Sequence, residues 1–163
     1  MVAPTILYSI HSLCGRKLVI FYKVRVAGSS FSNQWEIKMY PKQLKYSVEH
    51  IWVKSESNNM ARIGITHYYE QQLKKINFLE LPEKTTTVTR DETFGVIESS
   101  KATSDLYSPA SGTVAEVNKS LEVEPGIINR DPYGEGWMLV IELDNPNDLD
   151  SLLSADEYLD LFK

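Results

Sequence analysis

One lysine stands out by what surrounds it. In Glu98-Ser99-Ser100-Lys101-Ala102-Thr103-Ser104-Asp105-Leu106-Tyr107-Ser108-Pro109 a single amine is flanked by small residues, and Gly95 and Gly112 frame the segment. β-forming residues run into it from Phe94 to Ser99 and out of it from Gly112 to Asn118. That pattern predicts two flanking strands with Lys101 at the tip of a tight hairpin. A protonated amine is a poor nucleophile, and no nucleophile–base pair is visible in the sequence. The chemistry open to such a residue is acylation by another enzyme, which leaves a neutral amide on a long tether. Ser99, Ser100, Ala102, Thr103 and Ser104 are small enough not to obstruct that enzyme. Glu98 and Asp105 are placed to meet it, or to meet cargo on the arm. The plain alternative is an ordinary exposed lysine in a polar turn, since exposed lysines are common.

The elements that must position this segment are short. Val48 to Lys54 alternates as a strand, Ser55 to Asn59 is a polar turn, and Met60 to Ile65 is a second strand. Thr66 is a good N-cap for a short helix over Tyr68 to Lys75, and Ile76 to Leu81 returns to strand before Pro82. Thr85 to Thr89 is β-prone. After the lysine segment come a Pro125-Gly126 turn, an Asp131 to Gly136 loop and a strand from Trp137 to Leu143. Asn147 or Asp148 starts a C-terminal helix carrying Leu149, Leu152 and Leu153, and Ala155 to Phe162 continues at helical spacing. Many short strands with frequent turns predict a mainly β sandwich or barrel with short flanking helices.

Charge divides the chain. Residues 1–43 carry six basic side chains against Glu36, a net of +5, and residues 44–163 carry 11 basic against 21 acidic, a net of −10. An acidic body argues against nucleic acid, whose phosphates require lysine and arginine. It favours protein partners with basic docking surfaces. No apolar run approaches the roughly 20 residues of a membrane span. Cys14 is the single cysteine, so neither an internal disulfide nor a Cys-rich metal site is available. The first 35 residues hold no acid, several serines and four basic residues, which reads as an organellar transit peptide or disordered extension over 1–43. The competing reading is an extra N-terminal strand, because Leu18 to Val26 is rich in β-formers. His50 is expected to pack beside Trp52, and neither His11 nor His67 has the spacing of a metal ligand set.

Further motifs recur in a fixed order. They are His50-Ile51-Trp52-Val53, Ala61-Arg62-Ile63-Gly64-Ile65-Thr66, Leu79-Glu80-Leu81-Pro82-Glu83, Phe94-Gly95-Val96-Ile97-Glu98-Ser99, the Lys101 segment, Ser111-Gly112 and Asp131-Pro132-Tyr133-Gly134-Glu135-Gly136-Trp137. Together they closely resemble the H protein of the glycine cleavage system, over about residues 44 to 161 (within the usual boundary error). A biotin carrier would show Met-Lys-Met, and lipoyl domains of 2-oxo acid dehydrogenases usually show Asp-Lys-Ala; Ser100-Lys101-Ala102 matches neither.

The resemblance implies a barrel-sandwich hybrid over residues 44–163 and lipoic acid in amide linkage on Lys101. It implies a non-catalytic shuttle. Glycine decarboxylase would load an aminomethyl group on the lipoyl sulfur, the aminomethyltransferase would pass its carbon to tetrahydrofolate, and dihydrolipoamide dehydrogenase would reoxidise the dithiol. Lipoyl-attaching enzymes are implied as further partners, and residence in the mitochondrial matrix, or in a plastid, goes with the transit reading. In the family the loaded arm folds back on its carrier, and Asp105 matches one of the polar residues that hold it. The usual Glu after the histidine is Ile51 here. Strand alternation would put Glu49 on the same face as Ile51, and Glu49 is the expected substitute carboxylate. Ser100 replaces a usual Val, and Lys74 and Thr85 stand where glycines are usual. An H-like protein that mainly donates lipoyl groups to other complexes is the alternative, as is a docking scaffold that has lost modification.

Overall fold

The computed structural model describes residues 40–162 throughout and the backbone of residues 8–14 and 17–23. The chain divides into two units, Met1–Ile37 and Lys38–Lys163. In the first, β1 (Tyr8–Cys14) and β2 (Lys17–Lys23) pair antiparallel, from Tyr8 opposite Lys23 to Cys14 opposite Lys17. The β2 backbone falls in the β-forming run that competed with the transit-peptide reading. The remainder of that reading lies outside the described residues.

Among the described residues, the second unit holds nine strands in two sheets. They are β3 (Lys45–Tyr46), β4 (Ile51–Ser55), β5 (Met60–Ile65), β6 (Ile76–Glu80), β7 (Thr87–Val88), β8 (Thr93–Ser99), β9 (Thr103–Tyr107), β10 (Gly112–Val117) and β11 (Leu139–Leu143). One sheet runs β3-β4-β5-β11-β10-β7 and the other β6-β8-β9, each with two edges. The class is mainly β, as the sequence predicts, in the form of a two-sheet sandwich that does not close into a barrel. Both sheets feed one core. Ile63, Ile65, Val114 and Ile141 from the larger and Ile97 and Leu106 from the smaller are at most 1% exposed. A second cluster of Tyr40, Leu44, Tyr46, Trp52, Ala155 and Tyr158 lies under the C-terminal helix.

The hairpin differs from the expected one. β8 pairs with Thr103–Tyr107, whereas Gly112–Val117 belongs to the other sheet, between β11 and β7. The strand β9 is hard to see in sequence because Leu106 is its only buried residue. Gly95 and Gly112 do frame the segment for a steric reason. A Cβ at either position would strike a backbone carbonyl of the next strand, Glu80 or Glu142 respectively.

Among the described residues, four helices and a 3₁₀ turn close the ends. α1 (His67–Leu73) starts at Thr66, whose Oγ1 accepts from the Tyr69 amide at 3.3 Å. α2 (Ser120–Val123) and α3 (Ile127–Arg130) are single turns that pin Leu121 and Ile128 in the core. The expected helix at Asn147 is a 3₁₀ turn, Pro146–Ser151, capped by Asn145. α4 (Ala155–Leu161) begins with a capping box in which Ser154 and Glu157 satisfy each other's backbone amides.

Two of the unusual residues sit where glycine would be at ease. Lys74 ends α1 at φ 68° and ψ −134°, and Thr85 sits at φ 72°. These are left-handed or glycine-only conformations, and a β-branched residue tolerates them worst. Each costs on the order of 1 kcal/mol or more. Lys74→Gly and Thr85→Gly should therefore each stabilise the chain by about 1 kcal/mol. The measurement is a urea titration, where the midpoint should rise with an unchanged slope; a lower midpoint contradicts the assignment.

Candidate functional site

The Lys101 turn is closed by its own residues. Ser99 N–H donates to the Ala102 carbonyl at 2.9 Å, extending the β8–β9 ladder to the tip. Ser99 Oγ accepts from the amides of Lys101 at 3.1 Å and Ala102 at 3.0 Å, and donates to the Ala102 carbonyl at 2.9 Å. Ser99 thus satisfies the turn internally, as serines do in tight turns. Ser100 N–H donates to the Lys75 carbonyl at 2.8 Å, which fixes the tip to the start of β6. Below the tip, Ile97 and Leu106 are fully buried and hold the two strands to the core. Lys101 itself is exposed, with exposed Ser100 and Ala102 beside it. Its Nζ has no hydrogen-bond or ion-pair partner among the described residues.

Glu98 and Asp105 share one face. Glu98 lies opposite Thr103, and Val96 opposite Asp105, so the two carboxylates are diagonal neighbours on the solvent side. Both are exposed. The third strand adds Phe78 opposite Glu98 and Glu80 opposite Val96 on the same side. Phe78 is 51% exposed, a large apolar surface beside three carboxylates. The sequence reading did not single out Phe78 or Glu80, because their membership of this face follows from register alone.

Glu49 is not where alternation put it. Val48 to His50 form a turn ahead of β4, and His50 has φ 64°. A turn breaks the two-residue period on which the expectation rested. Glu49 is exposed, whereas Ile51 is fully buried among the core residues. His50 does not pack beside Trp52. Its ring lies 4.5 Å from Phe162, 4.9 Å from Tyr68 and 5.3 Å from Tyr69, centroid to centroid. Its Nδ1 is 2.7 Å from the Tyr158 hydroxyl, which is 2.9 Å from Thr66 Oγ1. The pattern is satisfied when Thr66 donates to Tyr158 and Tyr158 donates to a neutral imidazole. Trp52 instead donates through Nε1 to the Pro132 carbonyl at 2.9 Å and packs on Tyr133. Burial pushes the Tyr46, Tyr133 and Tyr158 hydroxyls well above the usual tyrosine range, so they stay neutral donors.

Fold and site together define a carrier-type β-sandwich: a rigid body that holds one lysine amine clear of its own side chains. The model of the glycine cleavage H-protein family matches residues 44–163. The glycine cleavage system H protein of Symbiobacterium thermophilum is 52% identical over 118 residues, 72% of this chain and 91% of the relative. The probable glycine cleavage system H protein of Haloarcula marismortui is 46% identical over 120 residues, 74% of this chain and 94% of the relative. Among solved structures, the glycine cleavage system H protein of Mycobacterium marinum superposes with a TM-score of 0.70 at 34% identity, covering 75% of this chain and 98% of that one. The chain belongs to the glycine cleavage H-protein family.

The same relatives correct the organellar expectation. They are H proteins of bacteria and an archaeon, cells with neither mitochondria nor plastids. The acid-free N-terminus therefore does not place the chain in a mitochondrial matrix.

The His50 cluster makes stability depend on pH. Burial pushes the His50 imidazole below its free value of 6.5. Between the two values the unfolded chain binds a proton that the folded chain does not, so stability falls as pH drops through that window and levels off below it. The melting temperature should decline as the pH falls below about 6.5. His50→Asn, which tolerates a positive φ, should flatten that decline. An equal slope in the variant contradicts the role given to His50.

Proposed function

We propose that this chain is the lipoyl-bearing carrier of a glycine cleavage system, with lipoate in amide linkage on Lys101 Nζ. The observation that carries the reading is the exposed, unpartnered Lys101 amine at the tip of a hairpin closed by Ser99. The site fits an attached acyl group: Ser100 and Ala102 leave the amine open on both sides, and no described side chain competes for it. In attachment, Nζ displaces the leaving group of an activated acyl supplied by a lipoyl-attaching enzyme and loses a proton as the amide forms. When bound, the lipoyl group supplies a ring disulfide that opens to carry the aminomethyl group of glycine and closes again.

The chain's own part is positional. The β8–β9 ladder keeps the tether's root fixed, so the arm samples a small volume at high effective concentration. Glu98 and Asp105 stand beside that root as exposed carboxylates, and acylation removes the neighbouring positive charge of Lys101. The face then presents only acid, which suits basic surfaces on glycine decarboxylase, the aminomethyltransferase and dihydrolipoamide dehydrogenase. Bond making and breaking on the cargo occur in those enzymes, and this chain acts as a non-catalytic subunit. Asp105, exposed on β9, is the carboxylate that would face a returning ammonium. Glu49, exposed in the turn ahead of β4, is the chain's other candidate, although it does not share a strand face with Ile51.

A reconstituted system tests this reading. Glycine-dependent release of carbon dioxide should fall to background with Lys101→Arg, while the melting temperature stays within error of the parent. Turnover that survives the substitution contradicts the reading.

A further inference from the structure

Beyond the β6–β8 ladder, the tip of the lysine hairpin is tied at the Lys75 carbonyl, and the peptide groups on either side of Lys75 are themselves held by a side chain distant in sequence. Ser100 N–H, the amide just before Lys101, donates to Lys75 O at 2.8 Å. Lys75 follows Lys74, whose φ of 68° and ψ of −134° are unfavourable for a residue with a Cβ. Left alone, this segment would relax and carry Lys75 O with it. Asn129 prevents this from α3. Its Nδ2 donates to Lys74 O at 2.6 Å, and its Oδ1 accepts from Ile76 N–H at 3.0 Å. One planar amide thus grips the peptide groups on both sides of Lys75.

Asn129 is held in turn. Its Nδ2 also donates to Glu70 Oε1 at 2.6 Å, and Glu70 is only 5% exposed. The second oxygen of Glu70 accepts from Gln71 Nε2 at 2.7 Å and lies 3.5 Å from His67 Nδ1. With two oxygens facing Nδ2 and one N–H facing Oδ1, the amide has a single satisfied orientation. Ile128, fully buried beside it, fixes the turn that carries Asn129.

We infer that Asn129 is a positioning residue for Lys101, acting through the bracketed Lys75 carbonyl on the Ser100 amide. The inference rests on the reading of Lys101 as the modified lysine and adds what sets its presentation. Removing the bracket frees residues 74–76, weakens the Ser100 anchor and lets the tip swing. Displacement of a reacting amine by a fraction of an ångström slows transfer to it strongly.

The test uses the full chain, Asn129→Ala, and a lipoate–protein ligase with lipoate and ATP. The rate of modification at Lys101 should fall roughly fivefold or more. Amide hydrogen exchange should show the Ser100 N–H exchanging about tenfold faster in the variant, with Ile97 and Leu106 still protected. Unaltered Ser100 protection together with an unaltered modification rate overturns the inference. Should Asn129→Ala fail to fold, exchange in the parent chain decides: the Ser100 amide must be protected to the same degree as that of Ile76, and free exchange at Ser100 overturns the proposal. A parent chain that the ligase does not modify would count against Lys101 as the modified residue, and the exchange measurements would still decide the bracket.

Discussion

Everything functional here hangs on the short ladder between β8 and β9. An exposed lysine on a mobile loop would give its tether no fixed origin. The ladder supplies one by burying Ile97 and Leu106 completely, while Glu98, Thr103 and Asp105 remain outside. Burial of each such side chain contributes about 1.5–3 kcal/mol. Two of them are of the same size as the roughly 1–2 kcal/mol per residue lost in ordering a three-residue turn, so the turn must be short and internally bonded. Ser99 is the residue that makes the second condition true, with one hydroxyl serving two amides and a carbonyl.

The rest of the second unit serves as a stiff mount. The six-stranded sheet contributes the opposite wall of the core, and single-turn helices insert Leu121 and Ile128 where loops would otherwise leave gaps. Tyr46, Tyr158, Tyr40 and Phe162 pack against one another near the start of β4, with ring centroids 4.8 to 6.4 Å apart. The buried hydroxyls of Tyr46 and Tyr158 are tolerated because both are bonded: Tyr46 to the Pro41 carbonyl, and Tyr158 to Thr66 and His50. The strain at Lys74 and Thr85 is tolerated within this mount and is offset locally by hydrogen bonds to the flanking backbone, such as Thr85 N–H to Val114 O at 2.8 Å.

What the sequence made legible was what local chemistry dictates. Thr66 at a helix start, the Asn58-Asn59 turn with both residues at φ 59°, the strand Met60–Ile65 and the lone Lys101 among small residues each follow from short-range rules. What it hid depends on neighbours far along the chain. Thr103–Tyr107 looks like a polar loop because one face of β9 meets solvent, and the sequence pattern points instead to the β-forming run from Gly112 as the partner of β8. The alternation argument for Glu49 failed on the positive φ of His50, a property of the turn that a period of two does not reveal. The carboxylate face of Glu80, Glu98 and Asp105 around Phe78 needs the register of three strands. The grip of Asn129 on Lys74 and Ile76 joins residues more than 50 positions apart in the chain. Ser154 and Glu157 have the spacing of a capping box, a short-range signal that the sequence carries.

The central claim is that one amine, and no other, serves as the root of a swinging arm. Peptide-level mass mapping of the protein isolated from its own cells tests it most directly. The account predicts a lipoyl adduct confined to the peptide containing Lys101, with Lys74, Lys75 and Lys84 unmodified. A Lys101 peptide found wholly unmodified, or an adduct placed on another lysine, would contradict it.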